Sequence, residues 1–517
     1  MLYLVASCIA LLLGPLFYRY FSSGSGLQKG LDGFIFVSLG GLVLVHILPE
    51  LLHHGGFLAI IFVILGLWGP TASERLFHRY SDITHNLTLA LGIGGLMLHT
   101  LTDGGAMVLA QQDGNSSLLA LGVILHRLPV GLAIWWLLKP QVGTKWAALV
   151  LFGMMLLTAV GYFASGQLLS QLSLDNTVYL QAFVTGSILH VVLHQPHGHP
   201  NADKQGKYEY QAGIGSLLGI VLLVLLLALD SGEHHHEGHE HSTDQLAEWL
   251  ILAAPALLLA YITAVIRFAA GLKPAGNMVS QWIQRLAGPE AILVTLLLLG
   301  PGYALLQFGG LLIVGAYLCY SNIQPVEHHT YQGNSALQFG FSQLVDRSAP
   351  WILFSLILAN LIGHPSVPLS NPLLQIIVLL VVFISARFCP LGGVILAMAL
   401  AVSGWHSAAV MLALLAAPVF NRTQLKLMSW GQRISLLIML LALVWLSTAL
   451  VNPIMQPLLA LPLSVNYACL AVIALLFAAS LLRLGPRKFL KHLMLIKVLP
   501  QHEHHAHGHE HNHGHHH

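Results

Sequence analysis

His99 and Asp103 stand four residues apart in a long apolar run, so a helix would project both from one face. An imidazole beside a carboxylate is borderline ligand chemistry that suits zinc and its neighbours in the first transition row. A second run carries His126-Arg127-Leu128-Pro129-Val130-Gly131, whose proline frees a carbonyl of the preceding turn to face an ion or a polar partner. A third closes on His46-Ile47-Leu48-Pro49-Glu50, and a fourth holds His190 and His194, again four apart. Polar groups inside membrane-length runs are costly, which makes His46, Glu50, His99, Asp103, His126, His190 and His194 candidate metal ligands. Plainer roles stand beside that one. Asp103 and Arg127 could form an ion pair that only holds helices together. His190 and His194 could be interfacial, and Pro129 and the glycines could serve kinking and close packing.

Two histidine-rich segments hold most of the remaining imidazoles. One contains His234, His235, His236, His239 and His241. The other closes the chain and contains His502, His504, His505, His507, His509, His511 and His513. Interleaved Glu, Gly, Ala and Asn mark both as flexible metal-collecting segments without fixed geometry. The tail spells HExxH from His509 to His513, but a metalloprotease needs that motif on a rigid helix. Neutral imidazoles would hold zinc, nickel or copper reversibly, and more weakly as pH falls through about 6.5. The cysteines, Cys8, Cys319, Cys389 and Cys469, lie far apart and form no CxxC pair, so neither a disulfide framework nor a zinc knuckle is expected.

The elements that must position these groups are membrane helices. The chain has 517 residues, 56% hydrophobic and 8% charged, too apolar to cover a water-facing surface, where about 25% charged is usual. Runs near the roughly 20 residues of a bilayer crossing recur from Met1 to Leu482. The first half reads as spans 2–18, 32–52, 57–70, 86–110, 117–138, 146–166, 178–194 and 212–230. The second reads as 248–271, 290–318, 349–363, 373–388, 391–403, 405–418, 434–451 and 463–482, several of them short or broken by Gly and Pro, as re-entrant or half-helices are. The fold class is therefore an all-α polytopic membrane protein. It divides into a bundle at 1–230, a His-rich linker at 231–247, a second bundle at 248–485 and a basic, then His-rich tail at 486–517.

Lysine and arginine set the orientation. In the first half Arg19, Lys29, Arg75, Arg79, Lys139, Lys145, Lys204 and Lys207 fall in or beside alternate loops, and the intervening loops hold none. The positive-inside rule then puts the N-terminus outside and, with Arg483, Arg487, Lys488, Lys491 and Lys497, the C-terminus in the cytosol. The histidine loop would face outward and the histidine tail inward. The second half also hints at an internal repeat. Ala254-Pro255 answers Ala349-Pro350, and Phe308-Gly309-Gly310 answers Leu391-Gly392-Gly393. In transporters the substrate site lies between such repeats. A net charge of +2 gives no reason to expect nucleic acid.

Residues 1–230 resemble the ZIP family of divalent-metal transporters. The resemblance rests on Leu48-Pro49-Glu50, Glu74-Arg75-Leu76, His99-Thr100 with Asp103-Gly104, and His126 to Gly131, in that order. It implies eight spans and a metal site on the fourth and fifth, here His99, Asp103 and His126. Thr100 stands where Asn is usual, Arg127 at a position often acidic, and Val130 where Glu or His supplies a ligand. The sixth span has no acid. At most one ion site remains, and Arg127 could pair with Asp103 in the place of a second cation. Residues 245–485 resemble, more loosely, a permease family that includes organoarsenical and proposed copper or zinc exporters. The stretch that carries this is Phe388-Cys389-Pro390, Gly392-Gly393, Ser403 to Ala409 and Ala417-Pro418-Val419-Phe420-Asn421. Gly300-Pro301-Gly302 stands where the first repeat would carry a matching cysteine. Cys389, Gly392, Gly393 and Asn421 are the residues to examine there, with small apolar packing as the plain alternative for Cys389.

The expected function is gradient-driven transport of divalent metal, zinc first, in the cell membrane, the inner membrane if the cell is bacterial. No P-loop is present to couple ATP. One alternative is metal or metalloid export by the second half alone, with a degenerate first half. Another is a metal store or sensor without transport. An enzyme is not expected, nor any catalytic cofactor: zinc or another divalent transition metal would be substrate. Membrane lipid and metal ions are the expected partners, and a homodimer is allowed.

Overall fold

The structure, a computed structural model, describes residues 2–20, 26–76, 117–164, 208–230, 240–271, 278–286, 288–323, 335–363, 371–385, 388–420, 422–491 and 493, and single positions within 93–108 and 178–189. At some helical positions, His46, Glu50 and His126 among them, only the backbone is described. Apart from turns and connecting segments the described chain is helical, and seven of its helices are long and apolar enough to cross a membrane. The coarse expectation of an all-α, multi-pass membrane protein stands on that. Six shorter apolar helices accompany the seven.

The first half is built from α1 (Leu2–Tyr20), α2 (Gly26–Leu42), α3 (Leu48–Leu76, two helical arms that break at Gly56), α4 (Ser117–Phe163) and α5 (Glu209–Asp230). A π-helical turn, Val43–Ile47, joins α2 to α3 and carries His46. The stretch Ser117–Phe163 is two helical arms, as the separate runs at 117–138 and 146–166 suggested: the chain breaks at Gly143, where φ 82° and ψ 170° are not helical. Lipid tails are as apolar as leucine, so packing between membrane helices favours small residues that let backbones touch. Here α2 lies along α5. A Cβ on Gly33 would stand 2.1 Å from the Ala212 carbonyl oxygen, and one on Gly215 1.7 Å from that of Gly30.

The second half runs α6 (Glu240–Ala269), α7 (Met278–Leu286), α8 (Pro289–Leu298), α9 (Pro301–Tyr320), α10 (Val345–Ile362), α11 (Pro372–Ser385), α12 (Pro390–Val402), α13 (Ser407–Val419), α14 (Trp430–Leu450) and α15 (Leu463–Lys491). Helix α6 begins at Glu240, inside the segment read as linker. The last element, α15, breaks at Gly485, where φ 67° and ψ 161° are not helical, and a short second arm runs on from Pro486 to Lys491, past the expected end of the bundle. The run read as one span at 290–318 is two helices, because Gly300 turns at φ 100° and Pro301 cannot continue the ladder.

Contacts at helix ends fix the arrangement. Phe268 stacks on Phe339, the Trp282 indole donates to the Ile323 carbonyl, Arg285 reaches Gln424, and Tyr317 reaches Gln432. These share one end of the bundle, rich in arginine. At the other end the His406 amide donates to Gln375, and Ser407 donates to Asn452. It follows that α8–α9 and α12–α13 are two hairpins. Both open toward the basic end and turn at the far end, at Leu299–Gly300 and Ser403–His406. The two arms of the second hairpin have 13 residues each, about 20 Å of helix, short of a hydrocarbon core of about 30 Å. Residues 391–400 and 408–419 are buried throughout. The largest core cluster is built around them.

Candidate functional site

Two deep polar places stand out, one in each half. In the first, the fourth-span segment is pressed onto the end of α4. A Cβ on Gly104 would stand 2.2 Å from the Thr158 carbonyl oxygen, and one on Gly161 2.0 Å from that of Leu101. Arg127, on the earlier part of α4, enters this seam and is 1% exposed. Its Nη1 donates to Thr158 Oγ1 at 2.8 Å and its Nη2 to the Thr100 carbonyl at 3.3 Å. Thr158 in turn donates to the Met154 carbonyl at 2.8 Å. A guanidinium thus sits between the fourth, fifth and sixth spans. His99, Asp103, His190 and His194 lie outside the described residues, as do the histidine tail and His234, His235, His236 and His239. The side chains of His46, Glu50, His126 and His241 are likewise not described. Among the described residues no group of three or more His, Cys, Asp and Glu comes together.

In the second half the polar place is where α10 crosses the start of α12. Cys389 caps α12 with Pro390 in its first turn, and the Gly392 amide donates to Cys389 Sγ at 3.2 Å. Proline suits a helix start because the amide it lacks would have no intrahelical partner there. Ser355 of α10 donates to the Gly392 carbonyl at 2.8 Å. A Cβ on Gly392 would stand 2.8 Å from that of Trp351, and one on Gly393 2.2 Å from that of Ala417. The expected pair Gly392-Gly393 is therefore a close-approach site that admits both α10 and α13. Phe388 packs on Trp351 and on Phe383, each at 4.8 Å between centroids, which fixes the chain as it turns into α12.

One α-helical face continues the polar line. Ser348 and Ser355 are seven apart on α10 with Trp351 between them. Ser348 Oγ donates to the Leu344 carbonyl at 2.8 Å, so the Tyr261 hydroxyl, 2.8 Å away and fully buried on α6, donates to Ser348. A π-helical turn, Phe339–Leu344, precedes this face, and π-bulges within α-helices are frequent at functional sites. Gly340 within it allows the approach of α6, since a Cβ there would stand 2.3 Å from Val265 Cγ2. Cys389 remains partly accessible, and Asn421 lies outside the described residues.

The two glycine pairs expected to correspond fall at different places in their helices. Gly309 and Gly310 lie in the middle of α9, whereas Gly392 and Gly393 lie in the first turn of α12. Each hairpin begins with proline in the first turn, behind Gly288 in one and Cys389 in the other. Gly300-Pro301 is the turn of the first hairpin. Tyr261, Ser348, Ser355 and Thr158 were absent from the sequence expectations. Their signal was a hydroxyl within an apolar run, which is too common to select without knowing which faces meet. No protein-family model, curated protein or solved structure matches this chain, so the likeness to the two transporter families rests on the quoted motifs.

Proposed function

We propose that this protein is a gradient-driven membrane transporter of divalent metal cations, zinc first, and that its path runs through the second half. The observation that carries the reading is the pair of hairpins, with Cys389 at the start of the second and Ser355, Ser348 and Tyr261 on the helices packed beside it. Broken helices expose backbone groups in the membrane only where protein or a water-lined cavity receives them. The two histidine-rich segments supply the metal preference, one collecting ions outside and one holding them in the cytosol. The basic end of the bundle is cytosolic in this reading, as the positive-inside rule requires.

Arg127 favours the second half over the first. A guanidinium fixed between the fourth, fifth and sixth spans supplies permanently the positive charge that a passing ion would bring. We therefore read the first half as a partner bundle. His99, Asp103 and His126 then help hold the Arg127 site, and do not release an ion.

Zinc uptake by sealed liposomes containing the purified protein tests this. Cys389→Ala is expected to lower flux at least about tenfold, the scale of losing one ligand-positioning contact. The pair His99→Ala/Asp103→Ala is expected to leave flux in place. Loss in the pair with retention in Cys389→Ala would move the path to the first half.

A further inference from the structure

The turn of the first hairpin leaves a specific defect. In an unbroken helix the Leu297 carbonyl would accept from the amide four residues on, but that residue is Pro301, which has none. The bond is supplied from elsewhere: Leu458 donates to the Leu297 carbonyl and Gln456 to the Leu299 carbonyl, each at 3.0 Å. Both donors belong to residues 451–462, which connect α14 to α15 at the end opposite the arginines.

The same segment reaches the second hairpin. Asn452, held at φ 41°, accepts from Ser407 at 3.2 Å. It fits closely on the break, since a Cβ on Gly300 would stand 2.5 Å from the Gln456 carbonyl oxygen. Pro453 is tucked under it, while Ile454 and Leu458 are 72% and 58% exposed. The segment thus lies across both hairpin turns, held by a few hydrogen bonds, with much of its apolar surface uncovered.

Below the break a buried amide is left over. Gln307 is 2% exposed, and its Oε1 has no hydrogen-bond partner. It lies on the inward stripe of α9 with Tyr303 and Gly310, and Gly310 abuts Leu415 of α13. Gln307 is therefore directed toward the seam between the hairpins. An orphaned amide oxygen in a membrane interior costs free energy until water or a cation meets it.

We infer that residues 451–462 are a gate over the far end of the seam. Lifting it uncovers the Leu297 and Leu299 carbonyls and opens water access to the Gln307 amide. These three oxygens would then face a passing cation. The inference rests on the second half being the conducting one, and it can be tested without measuring transport.

The test is modification of Gln307→Cys by a membrane-impermeant maleimide in lipid nanodiscs, with labelled peptides assigned by mass spectrometry. One sample keeps the natural 451–462 segment. A second adds Leu299→Cys and Gln456→Cys, oxidised to a disulfide. We expect position 307 to be modified in the first sample and about tenfold more slowly in the locked one, since locking removes the local opening that exposes it. Asn452→Ala, which frees one attachment without a new crosslink, should label faster. No modification at 307 in the unlocked protein, equal rates in the two samples, or no gain in Asn452→Ala would each overturn the gate. Gated labelling with no zinc flux would leave the gate standing and remove the transport reading.

Discussion

A guanidinium buried in the first half needs its donors satisfied, and Thr158 and the Thr100 carbonyl take two of them. Hydrogen bonds to charged groups are worth about 1.5–3 kcal/mol. Thr158→Val should cost about that much in unfolding experiments in detergent, and Thr158→Ser should restore most of it. Equal stability of the valine variant and the parent would show that Arg127 does not depend on Thr158. Arg127 was legible as an anomaly, because an arginine inside an apolar run is rare. Its partner was not: Thr158 lies 31 residues away, and nothing in the spacing says that α4 folds back onto the fourth-span segment. Cys389 was singled out only through the resemblance to a permease family, and its place as the cap of α12 became visible with Pro390 in the first turn. The Tyr261 and Ser348 hydroxyls on its neighbours needed the packing of α6 against α10.

At the scale of elements, the hairpins depend on glycines that serve contact. Gly393→Ala would bring a Cβ within 2.2 Å of that of Ala417, and overpacking of this kind costs about 1–3 kcal/mol. The variant should unfold at lower temperature and carry less zinc. Gly309→Ala is the matched control, because nothing lies within 4 Å of a Cβ there. It should leave stability unchanged or raise it by up to about 1 kcal/mol, as glycine-to-alanine changes inside helices do. A result in which both glycines behave alike would remove the close-approach account. Hydropathy located the apolar runs and failed at their breaks. The run at 290–318 is apolar across Gly300, so an average over a window passes smoothly through the turn. The Gly-Pro-Gly sequence signalled a break, and only the Trp282–Ile323 contact shows that the chain returns to its starting side.

The whole molecule is tied together by its last element. Beyond the break at Gly485, Arg487 makes a two-pronged bond to Asp32 of α2, at 2.9 and 3.1 Å. Lys488 pairs with Glu209 of α5, while Arg483 pairs with Asp346 at the start of α10. Helix α5 also comes so close to α15 that a Cβ on Gly213 would stand 2.5 Å from Leu482 Cα. The two arms of α15, Arg483 before the break and Arg487 and Lys488 after it, therefore grip both halves at the basic end. Asp32→Arg should destabilise the protein, and adding Arg487→Asp should recover about 1 kcal/mol, a value set by the partial exposure of the pair. No recovery would mean that the contact does not couple the halves. The sequence marked α15 as basic and cytosolic. The acids it meets lie as many as 455 residues away, beyond what charge patterning along the chain can pair.

Zinc flux into sealed liposomes is the measurement closest to the central claim. The account predicts flux in the parent protein that survives His99→Ala/Asp103→Ala and falls sharply in Cys389→Ala. Absence of flux in the parent across zinc, copper and nickel, with metal still bound by the protein, would contradict it and leave a membrane metal store or sensor in its place.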